Sequence, residues 1–163
     1  MSITISEGYV AGCIGRIVQL HADYYSIATG FGMAFEAKVA SELAQFCLSY
    51  RHGRDGIWLA RRGKHIEGSI ALDGSQVEQG HAHLRWFITS DQVRGQGTGK
   101  VLLREALTFA DKRGYRSIDL WTFAGLHAAR HLYESHGFRL AQEGTGSRWG
   151  SVVTEQQFVR SIS

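Results

Sequence analysis

The segment Arg94-Gly95-Gln96-Gly97-Thr98-Gly99-Lys100 joins a strand-like stretch to a helix-like one. Its three alternate glycines let the main chain approach a ligand closely and take conformations that other residues resist. The free N–H groups and dipole of the following helix favour a phosphate at that point. Arg94 and Lys100 add positive charge to it. Two phosphate-binding patterns fail here. A P-loop needs Gly five residues before Gly-Lys-Ser/Thr, but Arg94 stands five before Gly99 and Val101 follows Lys100. A dinucleotide fingerprint, GxGxxG, fails at Lys100 or, one step on, at Leu102. An anion cradle or a ligand-free turn remains.

A second group of residues carries proton chemistry. His81 and His83 share one face of a regular strand. An imidazole is a side chain that can take a proton from an amine near neutral pH. His83 ranks slightly ahead of His81, with Glu78 behind them, and plain surface histidines are the alternative. Tyr133 lies on the helical stripe Leu126, Ala129, Leu132, Tyr133, so spacing alone reads it as a buried aromatic. His81-x-His83 and His127-x-x-x-His131 resemble metal pairs, but Ala128 stands where a metalloprotease carries Glu, and no metal is expected. Cys13 and Cys47 have no CxxC partner and no nearby base, so they read as reduced thiols facing a core.

The elements that must position these residues follow from periodicity. Ile3 and Ile5 alternate with polar residues in a first strand over 1–6. Helical spacing predicts helices over about 11–27 and through Val39, Leu43, Phe46, Cys47 and Tyr50 to near His52-Gly53. Three strands follow at 57–61, 66–72 and 81–89, with Gly63-Lys64 as a tight turn and Leu84, Trp86 and Ile88 on one face. A helix over about 97–112 stops at Gly114. A strand at 117–122, a helix stopped at Gly137, and strands at 138–142 and 152–159 complete the chain, with 143–151 as a glycine-bearing loop. Strands and helices mixed in this order predict an α+β fold around one central sheet.

The chain has 163 residues, enough for one domain over 1–163 with a real core. A formal net charge of +3 is too small and too scattered for nucleic-acid binding. The N-terminus lacks the basic start and apolar run of a signal peptide, and no window reaches the roughly 18 apolar residues of a membrane span. A cytoplasmic protein is expected.

The same residues resemble a known family. Arg94-Gly-Gln-Gly97-Thr-Gly99 is similar to the R/Q-x-x-G-x-G/A signature of the GNAT acyl-CoA N-acetyltransferases. Ala129-Arg130-His131-Leu132-Tyr133-Glu134-Ser135-His136-Gly137-Phe138 resembles the family's A-x-x-L-Y-x-x-x-G-F segment. Ile118–Phe138 also looks similar to the acetyltransferase half of fusions with a MarR-type DNA-binding domain. The resemblance implies a mixed, mostly antiparallel sheet of about seven strands flanked by four helices. It implies acetyl-CoA as acetyl donor, held by the 94–100 loop and by the main chain of Phe87, Ile88 and Thr89. Tyr133 then becomes the general acid for the thiolate. The loop between the first two helices would line an acceptor site, with Tyr25, Phe31, Met33, Trp86 and Trp121 as candidates. The implied partner is an amine acceptor, either a small molecule or a peptide or protein amine, with no nucleic acid, no membrane and a homodimer left open. One departure stands out: the Asn that often sits seven residues before the tyrosine in the family is Leu126 here, so a hydrogen bond to the pantetheine is either missing or supplied elsewhere, with Thr122 and His127 as candidates. A non-catalytic acyl-CoA-binding or regulatory module of the same fold is the alternative.

Overall fold

Ile57 and Leu59 pack with Cys13, Ile17, Leu43 and Phe46, whereas Trp58 and Ala60 pack with Leu102, Leu103 and Ala106. This period-two division marks a strand covered by helices on both faces. The computed structural model describes residues 2–162; Met1, which opens the first expected strand, lies outside them. The elements are β1 (Thr4–Glu7), α1 (Cys13–Ala28), α2 (Met33–Leu48), β2 (Gly56–Arg62), β3 (His65–Asp73), β4 (His81–Thr89), α3 (Thr98–Arg113), β5 (Ser117–Phe123), α4 (His127–Ser135), β6 (Arg139–Gly146) and β7 (Val153–Ser161). A short 3-10 turn, Val77–Gln79, precedes β4.

The strands form one seven-stranded sheet in the order β1-β2-β3-β4-β5-β7-β6. Every neighbouring pair is antiparallel except β4 and β5. Parallel neighbours need a crossover, and α3 supplies it. The α+β architecture expected from the sequence is the one observed, with α1 and α2 against one face and α3 against the other. Leu102, Leu103, Ala106 and Ala110 of α3 are fully buried against the sheet. Each such leucine contributes about 2 kcal/mol of hydrophobic burial. No helix among the described residues is long and apolar enough to cross a membrane.

Three local expectations are corrected. The helix α2 ends at Leu48, short of His52-Gly53. Tyr50 still packs on Phe46 from beyond the helix end, which prolongs the apolar period. The loop after it folds around the buried Asp55 carboxylate, which accepts bonds from the N–H groups of Arg51 (2.9 Å) and Gly74 (2.7 Å). Glu143–Gly146 is strand, paired with Val153–Gln156. This edge strand is exposed along most of its length, so it carries no apolar alternation to read.

The third correction concerns β4. Leu84 packs on the α3 face, but Trp86 packs against Phe46 on the α1–α2 face, with ring centroids 5.3 Å apart. Ser69 pairs with Ile88 and Ala71 with Arg85, so Trp86 and Phe87 together oppose Ile70. This is a β-bulge, and it reverses the side-chain phase of the strand. Trp86 takes a φ of 49°, alone among the described non-glycine residues in the left-handed region. That conformation costs about 1–2 kcal/mol. Ser69 Oγ donates to the Trp86 carbonyl at 2.7 Å, and the Arg85 guanidinium lies 4.2 Å above the indole, holding the bulge in place.

Candidate active site

β4 and β5 pair only over His81–His83 and Ser117–Asp119. Beyond these residues the two strands diverge, and a cavity of about 410 Å³ opens between them. Leu84–Phe87 of β4 and Leu120–Phe123 of β5 line its two sides. Over this length β4 keeps its bonds to β3 but has no partner on the β5 side. An internal edge of unpaired N–H and C=O groups accepts an extended ligand as an added strand.

The glycine loop follows β4 and leads into α3, with Gly99 against the Phe87 ring that lines the cavity. Gly95 and Gly97 have φ of 82° and 81°, in the left-handed region that glycine tolerates, and nothing stands within 4 Å of where a Cβ would be. Gly97 is the N-cap of α3, with no side-chain cap and no acidic residue in the first turn. The first-turn N–H groups of Thr98, Gly99 and Lys100 therefore remain available to an anion. Gly99 lies against Phe87, and Gln96 and Lys100 are exposed. Arg94 is tied back: it pairs with Asp91, donates to the Thr89 carbonyl and stacks on Tyr24 at 4.6 Å. It braces the turn between β4 and α3.

Tyr133 reaches the cavity from α4. Its ring packs among Phe87, Phe138 and Phe158 at about 6 Å. Burial raises its pKa far above the ordinary phenol value, with a smaller effect from Tyr25, so it stays protonated. A neutral phenol in an apolar site can donate a proton to a developing anion. Phe87 lines the cavity, whereas Ile88 and Thr89 lie beyond it toward the loop. Thr122 lines it as well, while His127 is exposed at the start of α4.

At the closed end of the gap stands a cluster that the sequence shows only in part. The His81 and His83 rings are 4.8 Å apart on the same side of β4. His83 Nδ1–H donates to Asp119 Oδ1 on β5, and His83 Nε2 lies 3.0 Å from the end of the Gln76 side-chain amide. His81 Nδ1 shares a hydrogen bond with Ser117 Oγ at 2.6 Å. Burial by itself would raise the Asp119 pKa. Hydrogen bonds from His83 and Gln157, with both imidazoles nearby, outweigh it and hold the carboxyl below its usual value. Glu78 sits in the 3-10 turn and does not line the cavity. Asp119 is the residue missed from sequence. It stands between buried Ile118 and Leu120, and only the β4–β5 register reveals its partner.

The opposite wall is aromatic. Tyr25, Phe35, Trp86, Trp121, Phe123 and Trp149 line the cavity. Trp149 packs on Phe123 at 5.4 Å, and Gly150 beside it presses against Ala34 of α2. Of the residues named from sequence for an acceptor site, Tyr25, Trp86 and Trp121 line this cavity and Phe31 and Met33 do not. Phe31 is buried behind Tyr25, and Met33 is 86% exposed beside a separate depression. His21 of α1 also faces the cavity. Its Nδ1–H donates to the Ile17 carbonyl at 2.8 Å, and burial lowers its pKa to about 4 despite that bond, so Nε2 is an unprotonated acceptor near neutral pH.

A sheet with a splayed parallel pair, a glycine-loop helix start and a buried tyrosine beside the gap defines an acetyltransferase fold. Comparison with known proteins agrees. The model of the acetyltransferase (GNAT) family matches residues 14–138, and the chain belongs to that family. N-acetyltransferase 8 of Rattus norvegicus is 36% identical over 118 residues, covering 70% of this chain and 51% of that protein. The chain spans about half the length of the curated relatives it matches. An acetyltransferase of the GNAT family from Staphylococcus aureus Mu50 superposes with a TM-score of 0.78 at 18% identity, covering 99% of this chain and 100% of that one. An acetyltransferase from Streptococcus agalactiae 2603 gives 0.78 at 20% identity, with 98% of each chain covered. At these identities the two structures speak for the fold.

Proposed function

We propose that the chain transfers an acetyl group from acetyl-CoA to a primary amine, by direct attack within a ternary complex. The observation that carries this reading is the gap between β4 and β5, with the His83–Asp119 pair at one end and the glycine loop following β4 at the other. The donor fits the residues present. The unpaired edge of β4 from Leu84 to Ile88 suits the two amides of a pantetheine arm. The open first turn of α3 and the side-chain-free surface over Gly95 and Gly97 suit a pyrophosphate. Acetyl-CoA supplies the acetyl group as a thioester and leaves as the thiol.

The protein groups then divide the proton work. Asp119 holds the proton on His83 Nδ1, which leaves the Nε2 lone pair, beside the Gln76 side-chain amide, to take a proton from the acceptor nitrogen. Tyr133 Oη holds the proton that the leaving sulfur needs. Relatives named N-acetyltransferase support an amine as acceptor.

Thiol release from acetyl-CoA, followed with a panel of small amines, amino acids and peptide N-termini, tests this reading. Release should require an amine, and Asp119→Asn should lower kcat about tenfold and displace the acidic limb of the pH–rate profile. Tight acetyl-CoA binding with no turnover on any amine would instead make the chain a non-catalytic acyl-CoA-binding module. Leu126, where the family resemblance leads to the expectation of Asn, is the residue that favours this second reading.

A further inference from the structure

We propose that His81, His83 and Asp119 form a binding site for a borderline divalent cation of the Zn²⁺ class, and that filling it shuts off acetyl transfer. Three potential ligand atoms, one from each residue, lie within 4.8 Å of one another. Spacing along β4 offers two histidines only; β5 brings the carboxylate to them. Two imidazoles and a carboxylate are a ligand set that Zn²⁺ accepts, at about 2.0–2.2 Å per bond. The His81 Nε2–Asp119 Oδ1 separation of 3.4 Å already suits two ligands of one such ion, and the His83 ring has to swing away from Asp119 to admit the ion between them, which a partly exposed ring on a strand can do.

The groups behind the three ligands are already in place. Ser117 Oγ engages His81 Nδ1 and leaves Nε2, 3.4 Å from Asp119 Oδ1, as the free ligand atom. Gln157 Nε2 donates to Asp119 Oδ2 at 2.6 Å, and its own carbonyl accepts from Gln142 at 2.7 Å, which fixes the amide. Such outer contacts orient ligands and fix the imidazole tautomer. The set comprises three protein ligands, with the fourth position toward the cavity that His83 and Asp119 line.

The inhibitory half of the proposal rests on His83 being the base. A cation on His83 Nδ1 displaces the proton shared with Asp119. The neutral ring then carries its single proton on Nε2, and the lone pair that would take the amine proton is gone. The bound cation also occupies the space through which the acceptor nitrogen would reach that ring.

Titration calorimetry of the full chain with ZnCl₂, and Co²⁺ visible absorption as a second readout on the parent, test the site. Expected are one Zn²⁺ per chain at low micromolar affinity, a Co²⁺ band of four-coordinate intensity, and at least a tenfold loss of affinity in His81→Ala and in Asp119→Asn. A His127→Ala/His131→Ala variant, which removes the exposed helical pair on α4, should bind as the parent does. No binding at 100 μM (a chosen ceiling of about 10⁻⁴ M), or binding unchanged in both β4–β5 variants, overturns the site. Zn²⁺ should also inhibit amine-dependent thiol release over the same concentration range as it binds. Binding without inhibition leaves the cation site standing and overturns His83 as the base.

Discussion

On the α3 side of the β4–β5 gap, the surface offered to a ligand is main chain: unpaired strand edge, left-handed glycines and the first turn of a helix. On the α1–α2 side it is side chains, drawn from α1, α2, β4, β5 and the turn between β6 and β7. A main-chain site depends on backbone conformation and tolerates many side chains around it. A side-chain site depends on which residues meet, and a single substitution changes what it accepts. The first therefore suits a part common to every turnover, and the second a part that varies from one acceptor to another.

The largest expected effect breaks the main-chain side. Gly97→Glu places a side chain at a φ of 81° and a carboxylate beside the first turn of α3. Conformational strain and charge together amount to about 3 kcal/mol, or at least a hundredfold weaker acetyl-CoA binding by calorimetry. Unchanged affinity would remove the loop from the donor site.

His21 probes the opposite side through stability. Its folded pKa of about 4 lies below the ordinary 6.5 because it is buried. Between those values the unfolded chain binds a proton that the folded chain does not, so stability falls as pH falls through that window. The loss amounts to about 3 kcal/mol in all. The urea unfolding free energy of the parent should drop by that much more than that of His21→Gln between pH 7 and pH 4. A constant difference between the two would show that His21 is not held neutral against the cavity.

Tyr133 stands where the two sides meet. Tyr133→Phe should lower kcat between about ten- and a hundredfold while acetyl-CoA affinity stays within about twofold. Equal loss of both would make it a packing residue. The smallest effect sharpens the boundary of the acceptor side. Met33→Ala should leave the acceptor KM within about twofold, because the side chain lies outside the cavity, whereas Trp149→Ala should raise it about tenfold.

The same contrast governs what could be read from the sequence. The main-chain side is local: Arg94–Lys100 and the helix behind it are contiguous, and glycine spacing with helical periodicity exposes them directly. Tyr133 needed the surrounding Ala129–Phe138 pattern, since its helical spacing alone says only that it is buried. His81 and His83 were visible as a pair on one strand face, but Asp119, 36 residues from His83, was not. Its strand reads as an ordinary apolar segment until β5 is set beside β4. The bulge at Trp86 was hidden for a related reason. An extra residue in a strand leaves the composition unchanged and is forced by the pairing with β3. Phe31 and Met33 both follow α1 in the sequence, yet one is packed inward and the other is exposed to solvent.

Amide-resolved hydrogen exchange on addition of acetyl-CoA tests the central claim most directly. The expected result is protection of Leu84–Thr89 and of the first turn of α3, with the α1–α2 side unchanged until an amine is added. Protection confined to α1 and α2, or none along β4, would contradict the assignment of the gap to the donor.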